Sequence, residues 1–150
     1  IMNIDRVFWW VSWNIFLAVI PVLLAQAVYR IATLKDRNLS AKLGIFILGF
    51  LWLIFLPNTC YLITEWRHFL HTVDSSNMYM RFQQNPSLLP NLMLYTGFYT
   101  CFSAAGMLTF ALAIRPIAKI IKSTGAKLWV LGIPLFLLTS LGVYLGLILR

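Results

Sequence analysis

Four apolar stretches decide most of what this chain can become: residues 7–29, 43–64, 92–114 and 128–149. About 20 apolar residues at ~1.5 Å rise cross the ~30 Å hydrocarbon core of a bilayer, and each stretch reaches that length. Open strands are excluded there, because lipid offers no partner for unpaired backbone groups. The expectation is an all-α integral membrane bundle, a single domain over 1–150 with four transmembrane helices. Composition agrees, with 61% apolar residues, 11% charged and a mean hydropathy of +0.82, against about a quarter charged in a soluble domain. Lipid, not water, is the solvent such a surface requires.

The net charge of +8 comes from twelve Lys and Arg against four acids. In a soluble chain that balance raises nucleic acid as a partner. Here the bases fall between apolar stretches, and no basic face interleaved with aromatics exists for a nucleic acid to lie on. They read instead as orientation signals. Residues 30–42 carry Arg30, Lys35, Arg37 and Lys42 against Asp36, and residues 115–127 carry Arg115, Lys119, Lys122 and Lys127 with no acid. Residues 65–91 balance Arg67 and Arg81 against Glu65 and Asp74. The positive-inside rule puts the two basic loops on the cytoplasmic or stromal side of a bacterial inner or thylakoid membrane. Trp9, Trp10, Trp13 and Trp66 then mark the outer interface, with Tyr29 and Trp129 at the inner one. Cys60 and Cys101 lie inside apolar stretches and are expected to be free thiols. The chain opens Ile1-Met2 and stops at Arg150 directly after an apolar stretch, so a segment of a longer protein is expected.

Small residues suggest where helices meet. Gly142 and Gly146 in the fourth stretch, and Gly97, Cys101 and Ala105 in the third, recur at four-residue spacing, which allows close backbone approach. Packing within the bundle is the plainer use of such stripes, a dimer seam the sharper one.

The second stretch is not a plain span. Pro57 removes a backbone donor and crowds the preceding turn, which predicts a helix break at Pro57-Asn58 and a freed carbonyl near Leu53. The Asn58 amide either bonds that carbonyl or serves a ligand. If the helix continues past Thr64, Cys60, Thr64, His68 and His71 fall within an arc of about 80°. Glu65-x-x-His68 is half of a di-iron ligand set, but only Asp5, Asp36 and Asp74 remain as further acids, too few for a binuclear centre. His68 and His71 could hold a single metal, though two His at this spacing in an exit turn are more often simply interfacial. Glu65, at the expected boundary, could pair with Arg67 or lipid headgroups, or join His68 in a proton relay. Cys60 has no nearby cation to activate it. Asp74-Ser75-Ser76 followed by Met78, Tyr79 and Phe82, with Pro86 as a stop, reads as a short interfacial helix.

Phe55-Leu56-Pro57-Asn58, then Tyr61, Thr64-Glu65 and His68, resemble the F-L-P-N-A-P-Y-x-x-T-D-x-x-H signature of a bacterial membrane family, domain of unknown function 1361. Thr59-Cys60 stand where that signature has Ala-Pro, and Glu65 replaces its Asp. Tyr144-x-Gly146 and Arg150 resemble the family's Y-x-G-R-x-x-R, with Leu147 in place of Arg. The resemblance is clear over the second helix, thinner over the third and fourth, and not visible over the first. It implies a polytopic membrane protein longer than 150 residues with no assigned activity. It also implies that the Pro-Asn break, Glu65, His68 and the end of the fourth helix meet on the outer face.

Two functional expectations follow. One is a non-enzymatic accessory subunit or assembly factor, docked by its apolar faces to other membrane subunits. In a photosynthetic complex, His68 or His71 would be available to a chlorophyll magnesium. The other is a small transporter or membrane enzyme with its polar site at Asn58, Glu65, His68 and His71. From the sequence alone the first is preferred, because polar groups are few and the bundle is too small for a wide pore.

Overall fold

The structure, a computed structural model, describes residues 4–34, 38–75, 85–125, 127 and 129–148. It is all-helical among the described residues: α1 Ile4–Ala32, α2 Leu39–Phe55, α3 Pro57–Thr64, α4 Trp66–Ser75, α5 Leu89–Ser123 and α6 Trp129–Ile148, with a 3-10 turn at Pro86–Leu88 leading into α5. Among the described residues three spans are long and apolar enough to cross a membrane: Phe8–Ala32, Leu39–His71 and Leu89–Ser123. α6 adds a fourth apolar helix of 20 residues. The expected interfacial helix at 77–84 lies outside the described residues.

α1 shows why these helices pack. Asn14, Ala18, Pro21, Ala25, Val28 and Ala32 are buried, and their alternating four- and three-residue spacing draws one stripe along the helix. Three alanines seven residues apart let neighbouring backbones come close. Phe8, Trp9, Phe16 and Leu23 lie on the exposed side, where lipid replaces water. α1 packs against α2 and α5, while α3 sits between α5, α1 and α6.

Two clusters make the core. Toward one end, Ala25, Trp52, Leu56, Ala113 and Leu135 join α1, α2, α5 and α6. The Trp52 indole N–H donates to the Ala113 carbonyl at 3.1 Å, so its one polar atom is satisfied away from water. Toward the other end, Ala18, Leu62 and Phe102 pack under Trp10 and Val11, with the Trp10 and Phe102 rings stacked at 5.6 Å.

The helix limits depart from the sequence expectation in a consistent way. α1 and α5 run past the apolar stretches, and Arg115, Lys119 and Lys122 belong to α5 rather than to a loop over 115–127. At ~1.5 Å per residue, the 35 residues of α5 span on the order of 50 Å, well beyond a ~30 Å core. Hydropathy marks where lipid ends, not where the helix ends. The terminator is Gly125, whose φ of 73° suits glycine after a helix, and whose N–H donates to the Lys122 carbonyl at 3.2 Å. Likewise Lys42 lies on α2, whose cap is Asn38, its side chain accepting from the Ala41 N–H at 3.1 Å. The Lys119 ammonium sits 5.9 Å from the centre of the Tyr29 ring, which brings the basic end of α5 beside the end of α1.

Candidate functional site

Pro57 interrupts the second span gently. Leu56 keeps helical angles (φ −56°, ψ −40°) and its N–H still donates to the Trp52 carbonyl at 2.9 Å. Pro57 is then the first residue of α3, where a missing N–H costs little. The break is real but does not redirect the chain sharply. The Asn58 amide donates to the Phe55 carbonyl at 3.2 Å, not to Leu53 as the sequence suggested. Phe55 is one turn back from Asn58, whereas Leu53 lies further along and round the helix. The Thr59 hydroxyl donates to the Leu56 carbonyl at 2.7 Å, and Thr64 to Tyr61 at 2.8 Å.

α3 is clamped from two sides by glycines. A Cβ at Gly106 would lie 2.7 Å from the Leu62 Cβ and 2.9 Å from the Thr59 carbonyl oxygen, so α5 approaches α3 as closely as a backbone can. A Cβ at Gly142 would meet the Pro57 ring at 2.8 Å, which seats α6 on the start of α3. Gly142 was expected at a helix contact and Gly106 was not singled out. Gly97 and Cys101, by contrast, are exposed and Ala105 is half-buried. No described neighbour comes within 4 Å of a Cβ at Gly97, so Gly97 itself makes no close helix contact among the described residues. Gly97 and Cys101 instead line a shallow outward groove of about 380 Å³ with Leu92, Met93, Thr96 and Thr100. The surroundings of Gly146 lie outside the described residues.

Glu65 ends α3 (φ −62°, ψ −17°) and is 1% exposed. At this end of the apolar stretch it is enclosed by protein rather than open to its surroundings. One turn on, Phe69 packs on Tyr99 of α5 with ring centres 5.3 Å apart, which brings α5 beside this end of α3. Asn14 and Ser103 are further buried polar side chains in this half of the bundle. The Asn14 amide donates to the Trp10 carbonyl at 2.8 Å. The Ser103 hydroxyl has no hydrogen-bond partner among the described residues.

Asn58 and His71 are not enclosed with Glu65. Asn58 is half-buried and lies seven residues earlier, about 10 Å along the helix axis. His71 is exposed, and the side chain of His68 lies outside the described residues. Among the described residues no group of three His, Cys, Asp or Glu could hold a metal ion. Cys60 is half-buried and both cysteines are free thiols.

No curated protein and no solved structure matches this chain. A family model described as a protein of unknown function, DUF1361, matches residues 13–150. That match takes in most of α1, where the sequence resemblance had not been visible. It covers both glycine clamps, the Pro57 break and Glu65, and the chain belongs to the DUF1361 family.

Proposed function

We propose that this membrane protein acts as a small transporter in which Glu65 takes up and releases a proton or small cation at the outer end of α3. The observation that carries the reading is the burial of Glu65, at 1% exposure, among apolar spans. A carboxylate inside a membrane bundle is costly to keep, and such groups face ion pathways or proton relays. A proton or a small ion needs no wide pore, which removes the objection that the bundle is small. The basic ends of α1, α2 and α5 gather at the other end of the bundle and take the cytoplasmic or stromal side by the positive-inside rule, in a bacterial inner or thylakoid membrane. Residues 1–150 act as a single domain.

The test is flux in proteoliposomes holding the full protein, under an imposed proton or sodium gradient. Wild-type vesicles dissipate one of the gradients faster than empty ones, and Glu65→Gln removes that excess while protein content stays equal. Wild-type vesicles no faster than empty ones would sink the reading.

A second reading, an accessory subunit of a larger membrane complex, is favoured by the outward groove of α5 at Gly97 and Cys101. Small residues facing outward are wasted on lipid but suit a neighbouring helix. Gentle purification of the intact protein then brings down a stoichiometric membrane partner; a lone monomer counts against it.

A further inference from the structure

We propose that the outward face of α5 at its basic end holds one anionic phospholipid, whose phosphate is bound by Arg115, Lys119 and Lys122. This goes beyond the transporter reading and does not depend on Glu65.

The three cations form a stripe. At 100° per residue, Lys119 lies about 40° to one side of Arg115 and Lys122 about 20° to the other. All three are exposed. The buried residues of this part of α5, Ala113 and Pro116, lie about 160° and 100° from Arg115, so the stripe points away from the core. α5 carries no acid from Leu89 to Ser123, and like charges three and four residues apart repel. The negative end of the helix dipole offsets such repulsion only within the last turn. That turn holds Lys122 but neither Arg115 nor Lys119. An anion from outside the helix would offset the charge of those two.

Two more helices bring cations to the same end. The Lys119 ammonium sits 5.9 Å from the centre of the Tyr29 ring, and a Cβ at Gly44 of α2 would lie 3.9 Å from the Ile31 side chain of α1. Arg30 and Lys42, within two residues of these contacts, are exposed as well. The one acid that the sequence puts between α1 and α2, Asp36, is flanked by Lys35 and Arg37. The charge of this end is complementary to an anionic surface.

Depth and the adjoining apolar surface select a lipid over a soluble anion. From Arg115 to Lys122 the stripe rises about 10 Å, enough to cross the headgroup layer, about 5–8 Å on each side of the ~30 Å core. On the same face toward the core, Ala111 and Leu108 lie about 40° and 20° from Arg115. Both are exposed, Leu108 by 61%. An acyl chain covers that surface while its phosphate meets the cations; a soluble anion leaves it bare. The Arg115 guanidinium offers paired donors to phosphate oxygens, and the two lysines act as point charges whose apolar stems lie along lipid. Basic clusters where a spanning helix leaves the membrane suit anionic headgroups.

The experiment titrates the full protein, purified in a neutral detergent, with phosphatidylglycerol, phosphatidylcholine or inorganic phosphate, and reads the thermal unfolding midpoint. Phosphatidylglycerol raises the wild-type midpoint; the other two do not. Arg115→Gln and Lys119→Gln each need roughly fivefold more phosphatidylglycerol for the same rise, the weight of one cation at a membrane surface. Lys119→Arg responds as wild type does. So does Lys127→Gln, which removes the same charge from an exposed position beyond the end of α5. Equal responses to the two lipids overturn the anionic headgroup. An equal response to inorganic phosphate makes the site one for a free anion and overturns the lipid. If Lys127→Gln weakens the response as much as Lys119→Gln, net charge alone attracts the lipid and the site is overturned. Loss of the response in both Lys119 variants makes Lys119 structural and overturns its assignment. Glu65→Gln keeps the wild-type response to phosphatidylglycerol, so this reading and the transporter reading can each fail alone.

Discussion

Two faces of α5 carry the same kinds of residue and meet opposite surroundings. On one, Gly106 presses against α3, with the Thr59 carbonyl and the Leu62 side chain where a Cβ would go, and Ser103 is buried one turn before it. On the other, Gly97 and Thr100 look outward into an open groove. The Thr100 hydroxyl donates to the Thr96 carbonyl at 2.7 Å and asks nothing of its surroundings; the Ser103 hydroxyl is buried with no hydrogen-bond partner among the described residues. Glycine and a hydroxyl in an apolar helix thus have no meaning until the partner is known. The buried face packs α5 onto α3 and α1. The outward face is neutral for the folded chain by itself.

The largest expected effect tests the clamp directly. Gly106→Ala puts a methyl group at 2.7 Å from one side chain and 2.9 Å from a backbone oxygen, and a carbonyl cannot step aside as a flexible side chain does. The helices must separate, at a cost of about 1–3 kcal/mol for overpacking. That loss outweighs the gain of up to about 1 kcal/mol that alanine brings to a helix interior. Unfolding of the variant in mixed micelles titrated with SDS reads this as a shift toward lower SDS. An unchanged midpoint would mean that α3 and α5 are not in contact at Gly106.

Next in size is Trp52→Phe, on the part of the same interface nearer the basic end. Phenylalanine keeps most of the ring but loses the bond to the Ala113 carbonyl and part of a side chain that is 4% exposed. The expected loss is about 1–2 kcal/mol, combining one hydrogen bond and the missing contacts. Tryptophan fluorescence is unsuitable for this variant, so helical circular dichroism on heating is the measurement. A loss no greater than that of a lipid-facing Trp13→Phe control would show that the indole contributes only as an apolar group.

Much of the buried face was within reach of the sequence, and its function was not. The apolar stretches located every spanning helix, because lipid solvation is a local property of about 20 consecutive residues. The heptad of small residues on α1, from Asn14 to Ala32, was equally local and went unused. Helix ends were harder. Arg115, Lys119 and Lys122 end the apolar stretch without ending the helix, and only Gly125 gave the stop. Glu65 was legible as a residue to watch, but an acid after an apolar stretch looks interfacial. Its burial comes with tertiary packing such as the Phe69–Tyr99 ring contact, between residues 30 positions apart in the sequence. No local pattern encodes that. The same holds for Gly97 and Gly106: both are glycines among apolar residues, and their different surroundings come from which way α5 turns toward α3.

The smallest expected effect on the isolated chain is at Gly97, and it sharpens the comparison most. Gly97→Ala meets nothing within 4 Å and replaces a poor helix former with the best one, so stability is unchanged or raised by up to about 1 kcal/mol. The same exchange thus has opposite signs at two positions nine residues apart, and a loss of stability at Gly97 would erase the distinction between the faces. Gly97→Leu goes further by filling the groove beside Leu92 and Met93. If lipid covers that groove in the native membrane, leucine is as good a neighbour as glycine, and abundance and co-purifying partners stay as in wild type. If a helix of another subunit packs there, the larger side chain holds the backbones apart. The partner is then lost while the midpoint of the purified chain is unmoved, an outcome that Gly106→Ala, which acts inside the bundle, cannot produce.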